Sequence, residues 1–253
     1  MSKNIAIIFA GGSGARMGSG IPKQFIEIDG KPIIIYTLDN FQDHDEIDKI
    51  YISCKAGYID KLERLCRRFA IDKVAGIVQG GETGQDSIYN ALLAAAAEND
   101  EKDIVLLHDG VRPFITSELI SKNIACVKEN GSAVSCTPMF ETPIVSESGS
   151  TVDETPKRDN IFTAQAPQSF YLGDILKVHE QVRKINRNYE GIVDSCTLMR
   201  SVGKDVSIVH GNRGNIKVTT PEDLYLLRGL LNYKEVRQAF GLTEKEVPGS
   251  LKK

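Results

Sequence analysis

Four times within the first 135 residues a short apolar run is followed by a longer amphipathic stretch, and this alternation limits the possible folds more than any other feature. The strand-like runs are residues 5–9, 49–53, 73–78, 104–108 and 132–137, and helical patterns fall at 32–42, 58–69, 85–98 and 117–130. Parallel strands need a crossover of a dozen residues or so, and each helical stretch supplies one. The pattern therefore predicts a mostly parallel sheet flanked by helices on both faces. Ligands of such sheets bind beyond the carboxyl ends of the strands, so the loops after residues 9 and 108 face the binding crevice.

The first of these loops reads FAGGSGARMGSGIPKQ over residues 9–24. Gly11, Gly12 and Gly14, following Ala10, let the backbone turn tightly and bring its N–H groups against phosphate oxygens, while Arg16 and Lys23 neutralise charge on a leaving pyrophosphate. A P-loop is excluded, because Lys23 is preceded by Pro22 and followed by Gln24 rather than by Ser or Thr. A dinucleotide fingerprint is excluded too, since Met17 stands where its third glycine belongs. A plain surface turn would need neither Arg16 nor the Pro22-Lys23-Gln24 run.

The second loop, His108-Asp109-Gly110-Val111-Arg112-Pro113, places a carboxylate at a strand end, suited to a divalent metal bridging triphosphate oxygens. Arg112 is suited to a second phosphate, and a salt-bridged turn is the plainer alternative. His108 is expected to be a packed, hydrogen-bonded side chain rather than a base. Gly80-Gly81-Glu82-Thr83-Gly84-Gln85-Asp86-Ser87 precedes a helix and suits either a base or ribose edge or a helix cap. Lys217, within Asn215-Ile216-Lys217-Val218-Thr219, is a strand-end lysine that suits a phosphate or plain solvation.

With 253 residues, 41% hydrophobic and 26% charged, the chain suits one soluble domain, expected over residues 1–235 with a tail at 236–253. The net charge of −3 and the dispersed basic residues argue against a nucleic-acid partner. No stretch approaches the ~18 consecutive apolar residues of a membrane span, and a cytoplasmic location is expected. Cys54, Cys66, Cys126, Cys136 and Cys196 are widely spaced without a CxxC pair, and read as reduced, mostly buried thiols. Residues 141–160 give a strand, turn, strand pattern without a helix, which predicts a projecting β-hairpin; its simplest partner is a second copy of the chain. Further on, 173–186 is helical, 206–210 strand-like, and 221–232 a helix with Pro221 at its first position. The stretch 244–253 is polar and expected to fray.

AGGSGARMG followed by PKQ, the HDGVRPF segment, GG…DS, APQSF at 166–170 and NIKVTTPEDL at 215–224 together resemble the cytidylyltransferases that make CDP-activated sugar alcohols. That group includes enzymes for 2-C-methyl-D-erythritol 4-phosphate and for ribitol 5-phosphate. The resemblance runs from about residue 5 to 231 and implies a Rossmann-like fold with a β-hairpin dimerisation arm at about 140–160. It further implies CTP and a polyol phosphate as substrates, Mg²⁺ as cofactor and a homodimer.

The resemblance assigns Arg16 and Lys23 to the pentavalent transition state and Lys217 to substrate or CTP phosphates. Asp109 falls near metal and substrate, with Arg112 beside it; Ala10, Gly11, Gly12, Gly14, Gly81, Glu82 and Ser87 fall on the nucleotide. Thr142 and Arg158 of the arm match residues that reach the polyol phosphate across the dimer interface. One position departs: the family pattern GGxxRxxS has Gly84 here in place of Arg, which removes a cationic contact on the cytidine side. Val111, Phe114 and the stretch 202–206 look more like ribitol-phosphate enzymes, whereas 214–219 is closer to the methylerythritol form. Ribitol 5-phosphate is thus the expected acceptor and methylerythritol 4-phosphate the alternative. A nucleotide-binding module without turnover, or a hexose-1-phosphate nucleotidylyltransferase, are the readings outside this group.

Overall fold

The computed structural model describes residues 2–12 and 20–239, with backbone alone over 235–239. Its strands are β1 (Asn4–Ala10), β2 (Glu27–Ile28), β3 (Lys31–Pro32), β4 (Lys49–Cys54), β5 (Val74–Gln79), β6 (Ile104–Asp109), β7 (Ser132–Pro138), β8 (Phe162–Tyr171) and β9 (Ile208–His210). The helices are α1 (Ile33–Gln42), α2 (Ile59–Arg68), α3 (Gly84–Ala96), α4 (Ser117–Asn130), α5 (Leu172–Ile185), α6 (Ser195–Ser201) and α7 (Pro221–Ala239).

Seven strands form one sheet in the order β5-β4-β1-β6-β8-β7-β9, while β2 and β3 make a small separate ribbon. All neighbours pair in parallel except at β8, which runs against both β6 and β7. The alternating side chains of β1 explain the layering. Ile5 and Ile7 pack with Ile88, Leu92 and Ile175 of α3 and α5, whereas Ala6 and Ile8 pack with Leu38, Leu62 and Ile120 of α1, α2 and α4. Both faces of the sheet are thus covered, which is why its central strands read as continuous apolar runs. No helix among the described residues is long and apolar enough to cross a membrane.

Helix starts follow local chemistry. Thr83 and Asp86 form a reciprocal capping box at α3, the Thr116 hydroxyl caps α4, and Gly131 closes α4 in the left-handed region at φ 81°. Ahead of α7, the Asp223 carboxylate accepts hydrogen bonds from the Thr219 and Thr220 amides at 2.6 and 2.8 Å. These bonds lower the Asp223 pKa despite partial burial.

The parallel strands and first four helices lie where the alternation predicts them. Between β7 and β8, however, the expected hairpin holds a single antiparallel bridge, Val145 with Glu154, closed by a run of bends. Its residues are almost all exposed, and an isolated two-stranded ribbon is marginal without a face to bury. The sequence reading also missed β8, α6 and the β2–β3 ribbon. The expected fraying tail lies outside the described residues.

Candidate functional site

Register brings the two predicted loops together. Phe9 of β1 pairs with Asp109 of β6, and the Gly110 amide donates to the Phe9 carbonyl at 3.0 Å. A Cβ on Gly110 would stand 3.2 Å from the Ala10 Cβ, so a bare backbone keeps the two strand ends adjacent. Gln24 fixes the first turn: its amide nitrogen donates to the Ala10 carbonyl at 2.6 Å and the Gly12 carbonyl at 3.2 Å. Gly14 and Arg16 lie outside the described residues.

Asp109 organises the centre. Its Oδ2 takes Arg112 Nε at 2.7 Å and its Oδ1 takes Lys217 Nζ at 2.6 Å, with the carboxylate and Arg112 mostly buried and Lys217 about two-fifths exposed. Burial alone would raise the Asp109 pKa; the two cations and their hydrogen bonds overcome it and bring the value down to about 2. The group is therefore ionised at any ordinary pH. Arg112 also donates from Nη1 to the Asn215 carbonyl at 2.8 Å, and the Val218 amide donates to the Val111 carbonyl at 2.9 Å. Residues 215–219 are thereby strapped across the Asp109 loop. Lys23 reaches the same strap, its Nζ donating to the Val218 carbonyl at 2.8 Å. Three cationic side chains from segments far apart in sequence thus converge on one corner.

His108 behaves as expected. It is fully buried, edge-on to Phe41, with Nε2 3.1 Å from the Arg112 carbonyl, and burial pushes its pKa down to about 4. It is a neutral structural group.

The turn before α3 sits beside the glycine-rich loop. A Cβ on Gly11 would come within 2.9 Å of Ser87 Oγ. That hydroxyl accepts from the Gly81 amide at 3.1 Å and donates to the Thr83 carbonyl at 2.9 Å, so Ser87 pins the turn. Glu82 is exposed beside it. The cation absent at Gly84 is not restored from α5: Arg183 is ion-paired to Asp86, hydrogen-bonded to Tyr189 and stacked over Tyr89 at 4.3 Å.

Beside Asp109 a cavity of about 310 Å³ opens between the end of β6, the middle of β8 and the starts of α3 and α6, with Phe9 of β1 and Gly84 also in its wall. Asp109, Arg112 and Lys217 line it, together with Gln85, Gln165 and Asp194. Gln85 belongs to the segment 80–87 singled out in the sequence, whereas Gln165 and Asp194 escaped that reading; of these two only Asp194 carried a signal, as a helix-capping residue, and it does cap α6 through the Thr197 amide at 2.7 Å. Thr142 and Arg158 do not line this cavity. Both are exposed, and Arg158 Nη1 donates to the Phe140 carbonyl at 3.1 Å.

A doubly wound sheet with a glycine-rich turn after its first strand and clustered cations at the crevice suits the phosphates of a nucleotide. The family model described as 2-C-methyl-D-erythritol 4-phosphate cytidylyltransferase matches residues 4–232, and the chain belongs to that family. A ribitol-5-phosphate cytidylyltransferase of Vibrio parahaemolyticus is 45% identical over 239 residues, covering 94% of this chain and 100% of that one. A 2-C-methyl-D-erythritol 4-phosphate cytidylyltransferase of Clostridium botulinum is 40% identical over 227 residues, covering 89% and 96%. Among solved structures, 4-diphosphocytidyl-2C-methyl-D-erythritol synthase from Anaerococcus prevotii superposes with a TM-score of 0.79 at 30% identity, covering 91% of this chain and 96% of that one.

Proposed function

We propose that this cytidylyltransferase condenses CTP with D-ribitol 5-phosphate to give CDP-ribitol and pyrophosphate. The observation that carries the reaction is the convergence of Arg112 and Lys217 on Asp109 at the wall of a polar cavity, with Lys23 tied to the adjoining Val218 carbonyl. The choice of ribitol rests on Val111 and Phe114 and on the higher identity to the ribitol-named relative.

The acceptor's phosphate oxygen attacks the α-phosphorus of CTP, forming one P–O bond while the bond to the bridging oxygen of pyrophosphate breaks. A phosphate monoester already carries the nucleophilic oxygen, so no general base is needed and catalysis is positioning and charge neutralisation. In this reading Lys23, with Arg16, meets charge on the triphosphate. Arg112 and Lys217, held by Asp109, meet the acceptor phosphate. Ala10, Gly11, Gly12, Gly14, Gly81, Glu82 and Ser87 form the nucleotide side.

Magnesium belongs with CTP as substrate. Both oxygens of Asp109 are engaged by cations, and the described residues contain no cluster of three or more His, Cys, Asp or Glu that would hold an ion. The expectation of Asp109 as a resident metal ligand does not fit this donor set.

A homodimer through the 140–160 arm would bring Thr142 and Arg158 to a neighbour's site. Phe140, Ile144, Val145 and Val152 are all more than 40% exposed there, apolar surface that a second copy would cover. Residues 1–235 would then act as one catalytic domain per protomer.

The test is pyrophosphate release from CTP with ribitol 5-phosphate, methylerythritol 4-phosphate or no acceptor. Release is expected only with an acceptor, and fastest with ribitol 5-phosphate. Faster release with methylerythritol 4-phosphate would transfer the assignment to the second reading, which residues 214–219 favour. CTP uptake with no release for any acceptor would leave a binding module.

Gly81→Ala should affect the nucleotide side specifically. The new Cβ would lie 2.2 Å from the Asp86 Cβ and 3.0 Å from its carbonyl carbon, so the turn must open. Overpacking of this kind costs about 1–3 kcal/mol. The KM for CTP should rise about tenfold with the acceptor KM little changed, measured by steady-state kinetics; an unaltered CTP KM would remove this turn from the site.

A further inference from the structure

Arg183 of α5 is a cation with no part in the proposed reaction, and it is turned inward. Its side chain is ion-paired to Oδ1 of Asp86 and lies over the Tyr89 ring at 4.3 Å. Nη1 also donates to the Tyr189 hydroxyl at 3.3 Å, which leaves the hydroxyl proton for His179 Nδ1, 2.7 Å away. His179 and Tyr189 are buried, and Tyr189 stands in the left-handed region at φ 55°. A bulky residue keeps that conformation only where its surroundings fix it. One guanidinium thus joins α3, α5 and the loop after α5.

Asp86 carries this constraint to the turn before α3. Its Oδ2 accepts from the Thr83 hydroxyl at 2.9 Å and the Thr83 amide at 3.4 Å, closing the capping box, while Oδ1 is the oxygen that Arg183 holds. Gly81 rests directly on it, since a Cβ there would meet the Asp86 Cβ at 2.2 Å. A cap needs one carboxylate oxygen; with the second held from α5, the carboxylate has one orientation and the turn packed on it one shape. The pair is not needed to join the helices. Ile88, Ala91, Leu92 and Ala95 of α3 already share an apolar cluster with Ile175, Val178 and Val182 of α5. A mostly buried ion pair is weak evidence for stability and better explained by the geometry it fixes.

We propose that Arg183 is a positioning residue for the nucleotide: through Asp86 it fixes the turn 80–83 in the shape that receives CTP. The inference rests on the placement of Gly81, Glu82 and Ser87 on the nucleotide side. Without the guanidinium the Asp86 carboxylate can rotate and the turn can sample open shapes, so the apparent CTP affinity falls by the fraction of time the turn is competent. The acceptor phosphate, met by Arg112 and Lys217 on the separate Asp109 clamp, is untouched.

The test compares wild type with Arg183→Met, Arg183→Lys and Asp86→Asn, and with Val182→Ala as a control that loosens the buried face of α5 without touching Asp86. Calorimetry reads the Kd for CTP, and pyrophosphate release with the better of ribitol 5-phosphate and methylerythritol 4-phosphate reads both KM values. Arg183→Met should raise the CTP Kd and KM about tenfold, the scale of one charge-assisted hydrogen bond, with the acceptor KM and the kcat at saturating CTP within twofold. Arg183→Lys should recover part of the loss, since an ammonium keeps the charge opposite Asp86 without the second bond to Tyr189. Val182→Ala should lower the melting midpoint and leave CTP affinity unchanged. A folded Arg183→Met with CTP affinity within twofold of wild type overturns the proposal; if that variant does not fold, Asp86→Asn with unchanged affinity overturns it instead. So does an equal rise in both KM values, or a rise in Val182→Ala that matches Arg183→Met. Wild type that binds CTP yet releases no pyrophosphate with any polyol phosphate fails the functional reading alone, and the Kd comparison still decides Arg183. Wild type that binds no CTP overturns both.

Discussion

Lys23→Ala is expected to lower kcat for cytidylyl transfer by about 10²- to 10³-fold, the size seen when one donor to a developing negative charge is removed. The side chain enters from the turn after β1 and is tied through Nζ to the Val218 carbonyl, so its position is set by backbone rather than by solvent. Its removal takes away the bond to Val218 from a half-buried side chain and leaves the sheet's ladder intact, so the melting midpoint should move by only a few degrees. Pyrophosphate release at saturating CTP and acceptor reads the effect. A folded variant with near-normal turnover would remove Lys23 from the reaction and leave Arg16 as the cation for the triphosphate.

Asp109→Asn should damage both chemistry and stability. Arg112 and Lys217 lose the charge that holds them, and Arg112 is left mostly buried without its partner. The downward shift of the Asp109 pKa to about 2 corresponds to about 2–3 kcal/mol of stabilisation, the Lys217 side being screened by solvent. The sign follows from a folded pKa below the unfolded one: the contribution is complete above pH ~4 and lost as pH falls through ~2. Denaturant melts at pH 7 should show the asparagine variant less stable by that amount, the gap closing toward pH 2. A gap independent of pH would mean that shape rather than charge holds this corner together. Activity should fall through the acceptor KM as well as kcat.

The parallel half of the sheet was legible because its strands are buried on both faces and its helices carry one apolar stripe, so period and burial agree. β8 was not legible for the opposite reason. Phe162–Tyr171 contains Pro167, which cannot donate to a ladder, and two glutamines, yet it lies between β6 and β7. Its buried Ser169 is accommodated by polar partners, the hydroxyl donating to Asn123 Oδ1 at 3.1 Å while Asn123 Nδ2 donates to Ser135 at 2.9 Å. No local pattern announces partners drawn from three separate elements. The site divides similarly. Asp109, Arg112, Lys23 and Lys217 stand out as charges at predicted strand ends or beside a glycine run. Gln85 stands out only as one member of the segment 80–87, because an amide in the first turn of a helix reads as surface until tertiary packing buries it. In the arm the alternating pattern fixes which residues share a face without saying what that face packs on, and one antiparallel bridge, Val145 with Glu154, marks its pairing.

The reversed direction of β8 bears on how enzymes of this architecture diversify. The strand carries the chain from the exposed arm into the cavity wall, on the far side of Asp109 from the glycine-rich turn. Substitutions along it, or in α6 beside it, can reshape the space for a carbon chain while the turn after β1 and the Asp109 clamp stay as they are. Two relatives named for different acceptors, each at least 40% identical to this chain, are what such a division of labour allows: one inherited phosphate chemistry, with the choice of alcohol free to drift.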